Sequence, residues 1–175
     1  MSRMKHLKTL LLVPMLLLVW GAQAVASEVQ TRGGAFYVYL SPAVEFSEVL
    51  ERLYTEIEAQ SWEVLRVQDI DDGLREHYGI DIENKVIYAC RSKYLAEAIK
   101  ENPNVTLLVP CRIAIYRVDY AGRAAGPGAE GGKIVIGVTN PIHEADLLGI
   151  EERETIKVVA DELRSMLEGV AEFYH

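Results

Sequence analysis

Apolar residues in this chain follow two spacings, and each change of spacing marks the boundary of a predicted strand or helix. A two-residue period covers residues 35–40, whereas a three- and four-residue period covers residues 46–57. The first is typical of a strand with one buried face, and the second is typical of a helix with one apolar stripe. A sheet and its helices are therefore expected to share one core.

The same patterns continue along the chain. The predicted strands are residues 35–40, 62–67, 85–90, 105–118 and 133–138, and the predicted helices are residues 42–57, 92–102 and 151–173. A short helix is also expected within residues 73–77, and the glycine-rich residues 122–132 are expected to join two strands of a hairpin. This β-α-β-β-α-β-β-α order predicts an α+β domain with a mostly antiparallel sheet packed by helices.

The first 26 residues have the three parts of a secretion signal. The chain begins with three cations, positions 10–20 are almost wholly apolar, and small residues stand at cleavage spacing before sites that follow Ala24 and Ala26. The apolar part is shorter than the roughly 18 residues that a spanning helix needs. We expect residues 1–26 to be cleaved, leaving one domain at 27–175 in the periplasm or secreted, with no transmembrane segment. An uncleaved anchor is the alternative.

The charge of the chain bears on its partners. It contains 18 Lys and Arg against 26 Asp and Glu, which gives a net charge of −8. Loss of the predicted leader removes three of these cations and makes the charge more negative still. Because no cluster of basic residues follows the leader, nucleic acid is not expected as a partner. The acidity favours solubility, or the steering of a basic partner.

The two cysteines of the chain, Cys90 and Cys111, have similar surroundings. Cys90 ends a predicted strand and precedes a helix, while Cys111 follows Pro110 at the start of an apolar run. The helix between them runs back by about 16 Å at 1.5 Å per residue. Extended chain then climbs by roughly 20 Å at 3.3 Å per residue. We therefore predict that Cys111 returns to the level of Cys90 and that the two sulfurs are neighbours.

Three interpretations of this cysteine pair remain open. Both residues can be small apolar side chains on buried strand faces, they can form a structural disulfide, or they can form a working thiol site. In the third case Cys90 is the better nucleophile, because the following helix and the cations Arg91 and Lys93 favour its thiolate. Cys111 is then the resolving cysteine.

Metal binding is the other use of two thiols. Two thiolates suit a soft ion such as Cu(I), so copper is the cofactor that Cys90 and Cys111 would favour. A four-ligand zinc site has less support, since His77, His143 and His175 stand at no recognised ligand spacing from a cysteine. The acidic run that begins at Asp69 lacks the twelve-residue calcium loop and predicts a solvated turn.

Two segments around the cysteines resemble a known family. The run from Tyr88 to Cys90, the helix after it, and the run from Val109 to Tyr116 are similar to the bacterial family known as domain of unknown function 302. The resemblance extends over about residues 36–173. It implies a compact α+β fold similar to a half-repeat of the TATA-binding protein, without DNA binding, and a homodimer formed through the sheet or the helices. It implies no settled activity.

These observations lead to one functional hypothesis with two alternatives. We expect an exported homodimer, not an enzyme, that binds a small ligand, a metal ion or a partner protein near Cys90 and Cys111. Arg91, Arg112 and Tyr88 flank these cysteines and are the further candidates for the site. The first alternative is a thiol-disulfide-active envelope protein. The second is a structural interaction module locked by a Cys90–Cys111 disulfide.

Overall fold

A six-stranded antiparallel sheet forms the centre of the fold. The computed structural model describes residues 28–129, 131–151 and 153–174, so the predicted leader and His175 lie outside the described part. The strands are Gln30–Arg32 (β1), Ala35–Leu40 (β2), Glu63–Asp69 (β3), Asn84–Cys90 (β4), Cys111–Val118 (β5) and Lys133–Thr139 (β6). Their order across the sheet is β1-β2-β6-β5-β4-β3, and every neighbouring pair is antiparallel.

Helices cover one face of this sheet. They are Phe46–Ala59 (α1), Ile70–Tyr78 (α2), Ser92–Glu101 (α3), Pro141–Leu148 (α4) and Glu154–Phe173 (α5), with a 3-10 helix at Pro103–Leu108. The apolar stripes of α1 and α5 pack on alternate residues of the central strands, which are fully or almost fully buried. This is the core that the two sequence periods predict.

A second, smaller core lies beyond the end of the sheet where β4 finishes and β5 begins. It joins α3, the 3-10 helix, α4 and the start of α5 through six buried residues: Ala98, Val105, Leu108, Ala145, Ile150 and Ile156. The chain between β4 and β5 therefore folds into its own cover over that end of the sheet.

The α+β class and the antiparallel sheet are confirmed. So is the hairpin around the glycine-rich segment, since Ile115 of β5 stands opposite Ile136 of β6. The strand β1 and the helix α4 were not predicted, and α2 is longer than the short helix expected within residues 73–77.

The two predicted boundaries that differ most from the structure are wrong for local reasons. The first helix starts at Phe46 instead of Pro42, because Val44 N–H donates to the Ser41 carbonyl at 3.2 Å and closes a turn first. Residues 105–108 are helical instead of extended, because the side chain of Asn102 caps the 3-10 helix by accepting from Asn104 N–H. The strand β5 therefore begins only at Cys111.

The turn between β1 and β2 requires glycine at Gly34. Its φ is +78°, in the left-handed region, and a Cβ there would overlap the ring of His143 in α4. Among the described residues, no helix is both long and apolar enough to cross a bilayer.

Candidate functional site

An apolar cavity opens at the end of the sheet beneath the second core. Water-sized spheres can occupy about 40 Å³ of it, which is room for a few waters, and the space between atoms reaches about 440 Å³ only when the open solvent at its mouth is counted. Its buried walls are Trp62, Cys90, Ala98, Val105, Leu108, Pro141 and Ile156, and its partly exposed walls are Arg91, Tyr94, Leu95, Val109, Cys111, Thr155 and Val159. Arg91 is the one charged residue among them. A mostly apolar concave surface with a few polar groups is typical of small-molecule sites.

Both cysteines contribute to this cavity, but they do not form a pair. Cys111 stands opposite Ala89, so the strand returns to the predicted level, yet both thiols are free and the sulfurs are not neighbours. The prediction of neighbouring sulfurs is therefore wrong, and no disulfide is present. The register explains this result, because Cys90 stands opposite Glu63 of β3 and lies one residue beyond the partner of Cys111. Successive residues of a strand point to opposite faces, so the two cysteines reach the cavity at the end of the sheet from different directions.

Burial keeps both thiols protonated. It raises the pKa of the Cys90 thiol, and the negative charge of Glu63 raises it further. It also raises the pKa of Cys111 to about 12, with smaller contributions from Cys90 and from the carboxylate of Glu144. This shift is opposite to the one predicted for a nucleophilic Cys90. The guanidinium of Arg91 does not stabilise a thiolate as predicted, because it is paired with Glu162.

Glu162 of α5 does not line the cavity, but it accepts hydrogen bonds from three residues that do. Trp62 Nε1 donates to its Oε2 at 2.7 Å, Tyr94 Oη donates to its Oε1 at 2.7 Å, and Arg91 donates to the same Oε1. The guanidinium of Arg91 also lies over the Tyr94 ring, 4.6 Å from its centroid. We call these four residues the Glu162 clamp. It joins the starts of β3 and α3 to the middle of α5.

The clamp fixes the charge of its carboxylate. Burial opposes ionisation of Glu162, but the hydrogen bonds from Arg91, Trp62 and Tyr94 outweigh it and lower the pKa of this carboxyl. The rim therefore carries an anion and a cation that neutralise one another. Sequence reasoning missed Trp62, Tyr94 and Glu162, because no local spacing relates a residue of α5 to the start of α3.

Two further predicted site residues lie elsewhere. Tyr88 and Arg112 stand opposite each other on β4 and β5, between residues that point into the helix-covered core. Tyr88 Oη donates to Gln68 Oε1 at 3.1 Å, and Arg112 donates to Glu144 Oε1 at 3.0 Å. Neither lines the cavity, so of the five predicted residues only Cys90, Cys111 and Arg91 come together there.

The described residues contain one group of three potential metal ligands, Asp69, Asp71 and Asp72, and it includes no cysteine. The ammonium of Lys85 already lies 2.6 Å from Asp69 Oδ1 and 3.2 Å from Asp71 Oδ1. Asp71 is only 5 % exposed, so this is a partly buried ion cluster and not the solvated turn predicted from the sequence. The chain therefore supplies these carboxylates with a cation of its own, the ammonium of Lys85.

Comparison with known proteins places this fold in a family. The structure is similar to a crystal structure of an uncharacterized conserved protein DUF302 from Bacillus stearothermophilus, with a TM-score of 0.60, 18% identity, and coverage of 82% of this chain and 100% of that one. At this identity the likeness concerns the fold alone. No curated protein matches the chain. The family model described as domain of unknown function DUF302 matches residues 37–173, and the chain therefore belongs to the DUF302 family.

Proposed function

We propose that this protein binds a small, uncharged, apolar ligand in the cavity beside Cys90 and Cys111. The observation that carries this proposal is the combination of an apolar wall with a neutralised rim. Half of the lining residues are buried, and the charge of Arg91 is balanced by Glu162. An apolar group that enters such a space leaves water without meeting an unpaired charge.

The rim disfavours an anionic ligand. A carboxylate or phosphate would have to compete with Glu162 for the guanidinium of Arg91, and would leave the buried side of Glu162 with fewer donors. Removing a partner from a partly buried charge costs free energy that the incoming anion must offset. A neutral ligand leaves the Glu162 clamp intact.

In this proposal the cysteines are wall residues. A protonated thiol behaves as a small apolar group with a weak donor, which suits the apolar wall. Raised thiol pKa values at Cys90 and Cys111 give no support to thiol exchange, which needs a thiolate. Their separation gives none to a two-thiolate copper site or to a disulfide-locked module.

The setting of this binding function rests on the sequence. We propose that the protein acts in the periplasm or as a secreted homodimer, because residues 1–26 have the pattern of a cleavable leader and the family resemblance implies a dimer. Intact mass of the exported protein reports the cleavage, and sedimentation equilibrium reports the dimer. A full-length mass, or a monomer at all concentrations, would refute the respective part.

The binding proposal is tested with a neutral apolar fluorophore, N-phenyl-1-naphthylamine. Two neighbouring residues of α5 provide matched variants, since Val159 lines the cavity and Val158 is 41% exposed outside it. We expect Val159→Trp to fill the cavity and weaken probe binding by about tenfold or more, which is about 1.4 kcal/mol. Val158→Trp is expected to leave the affinity unchanged. Equal binding by both variants, or no binding by the wild type, would contradict the proposal.

A further inference from the structure

The sheet face that α1 and α5 leave uncovered has an unusual composition. It carries four partly exposed tyrosines, Tyr37, Tyr39, Tyr88 and Tyr116. The apolar stripes of the described helices pack on the other face of the sheet, where the alternate residues of the same strands are buried. We call this surface the open sheet face. Partial exposure of so many aromatic rings indicates a surface that can exchange water for a partner.

The strand register places three arginines in one row across this face. The row runs from the β3 edge to the β1 edge through six residues: Arg66, Tyr88, Arg112, Thr139, Ala35 and Arg32. Arg112 and Thr139 lie one position beyond the last residues paired between β5 and β6, Ile113 and Val138. With about 4.8 Å between neighbouring strands, Arg66 lies roughly 10 Å from Arg112, and Arg112 lies roughly 14 Å from Arg32. We call this the arginine row. Lys133, on the same face, adds a fourth cation.

Few carboxylates offset these cations. Glu144 pairs with Arg112 at 3.0 Å, but the Arg112 side chain is 57% exposed, so the ion pair is weak and an incoming carboxylate can share the guanidinium. Glu63 lies at the corner of the sheet opposite Cys90. Arg32 and Arg66 are exposed and have no carboxylate partner among the described residues. The acidity of the chain lies elsewhere, for example on α1, which has four glutamates and one arginine. The open sheet face is therefore basic on a protein of net charge −8.

The aromatic groups are already arranged for contact. The rings of Tyr37 and Tyr39 stack with centroids 6.2 Å apart and an angle of 27° between planes. Tyr37 also lies against Gly137, where a Cβ would come within 3.0 Å of its Cε1. The guanidinium of Arg66 lies 4.4 Å from the centroid of Tyr88. Tyrosine and arginine held in place in this way are enriched at the energetic centres of protein interfaces.

We propose that the open sheet face binds an extended acidic segment of a partner protein. Side chains two and four positions apart lie on the same side of an extended segment, about 7 and 14 Å apart, so carboxylates two and then four positions apart come within reach of the arginine row. Nucleic acid fits less well, because its denser charge meets the repulsion of a chain of net charge −8. A second copy docked through the same face would bring two sets of cations into one interface.

The test uses three ten-residue peptides of serine and threonine with a fluorescent label. One has aspartates at positions 2, 4 and 8, one has three adjacent aspartates, and one has asparagines at positions 2, 4 and 8. By fluorescence anisotropy at low salt, we expect the first peptide to bind at least threefold more tightly than either of the others. Raising the ionic strength to about 0.15 M should weaken its binding.

Variants locate the binding to the proposed surface. Arg66→Ala and Arg32→Ala are each expected to weaken binding of the first peptide by about threefold or more. Lys157 of α5 is also exposed, and Lys157→Ala is the matched control, which should leave the affinity unchanged. Equal affinity for the three peptides, an equal loss in Lys157→Ala, or tighter binding of a ten-residue oligothymidylate would overturn the proposal. So would dissociation of a dimer by Arg66→Ala in sedimentation, which would assign this face to a second copy.

Discussion

The two ends of β4 and β5 show opposite ways of closing a sheet. At the far end, where β4 begins and β5 finishes, the glycine-rich chain folds back on Arg117, which is only 5% exposed and donates to Glu83. Ala125 bridges the two backbones, since its N–H donates to Arg117 and its carbonyl accepts from Glu83, each at 3.0 Å. The buried charge is therefore covered by the chain itself.

At the near end the polar groups surround a space instead of filling it. Trp62, Arg91 and Tyr94 turn toward Glu162, and their apolar parts leave the cavity open between α3 and α5. An ion pair can thus close a fold, as Arg117 and Glu83 do, or hold residues that border a cavity, as Arg91 and Glu162 do. The Arg117–Glu83 pair should therefore contribute most to stability, and the Arg91–Glu162 pair should contribute most to access to the cavity.

The largest expected effect is at the closed end. Arg117→Ala leaves Glu83 partly buried without its partner, and we expect the free energy of unfolding to fall by about 3 kcal/mol. Urea denaturation measures this loss. The control Arg123→Ala removes a side chain that is 75% exposed and should change stability by less than about 0.5 kcal/mol. Probe binding per folded molecule should stay the same in both variants, and a lost cavity in Arg117→Ala would break the comparison.

An intermediate effect is expected at the open end. Glu162→Gln keeps the shape of the clamp but removes the charge that Arg91, Trp62 and Tyr94 share, and we expect a loss of about 1 to 2 kcal/mol in unfolding free energy. Hydrogen exchange at the start of α3 should rise more than exchange in β5. If exchange rises equally everywhere, the clamp does not act locally.

The same variant gives a pH test. Since the pKa of Glu162 is lower in the folded protein, its stabilisation is complete above the unfolded pKa of about 4.5 and is lost as the pH falls through the folded value. The difference in stability between wild type and Glu162→Gln should thus be constant above about pH 5.5 and shrink toward pH 3. Urea titrations at several pH values measure it. A difference that grows on acidification would mean that burial, not the hydrogen bonds, controls this carboxyl.

The smallest effect is expected at the thiols. In the native protein at pH 8 we expect slow alkylation of Cys90 and Cys111 by iodoacetamide, because raised pKa values leave little thiolate, and rapid alkylation in urea. Intact mass before and after labelling reports both states. Rapid native labelling of Cys90, or a mixed disulfide trapped in Cys111→Ser, would restore the thiol-exchange interpretation.

Local patterns were enough to predict the fold class but not the site. The periods of residues 35–40 and 46–57 predict β2 and α1 because burial of one face repeats along a single element. The strand β1, with three exposed residues, has no such period, and its pairing with β2 depends on the turn at Gly34.

The cysteines illustrate why the site was only partly predictable. Cys111 does return to the level of Cys90, as its pairing with Ala89 shows, but not by the predicted extended chain, because residues 103–108 form a 3-10 helix. Whether the two side chains point the same way depends on the strand register to within one residue. The number of residues between the cysteines does not determine that register. The Glu162 clamp joins residues that are distant in sequence, so only the assembled core reveals it.

The most direct measurement of the central claim compares two probes that share one skeleton and differ in charge. N-phenyl-1-naphthylamine is neutral, whereas 8-anilinonaphthalene-1-sulfonate adds an anionic sulfonate. We expect wild type to bind the neutral probe more tightly than the sulfonate, and we expect Val159→Trp to lose most of that affinity. Tighter binding of the sulfonate, still sensitive to Val159→Trp, would show that the cavity selects an anion and that the charge of Arg91 is not neutralised by Glu162.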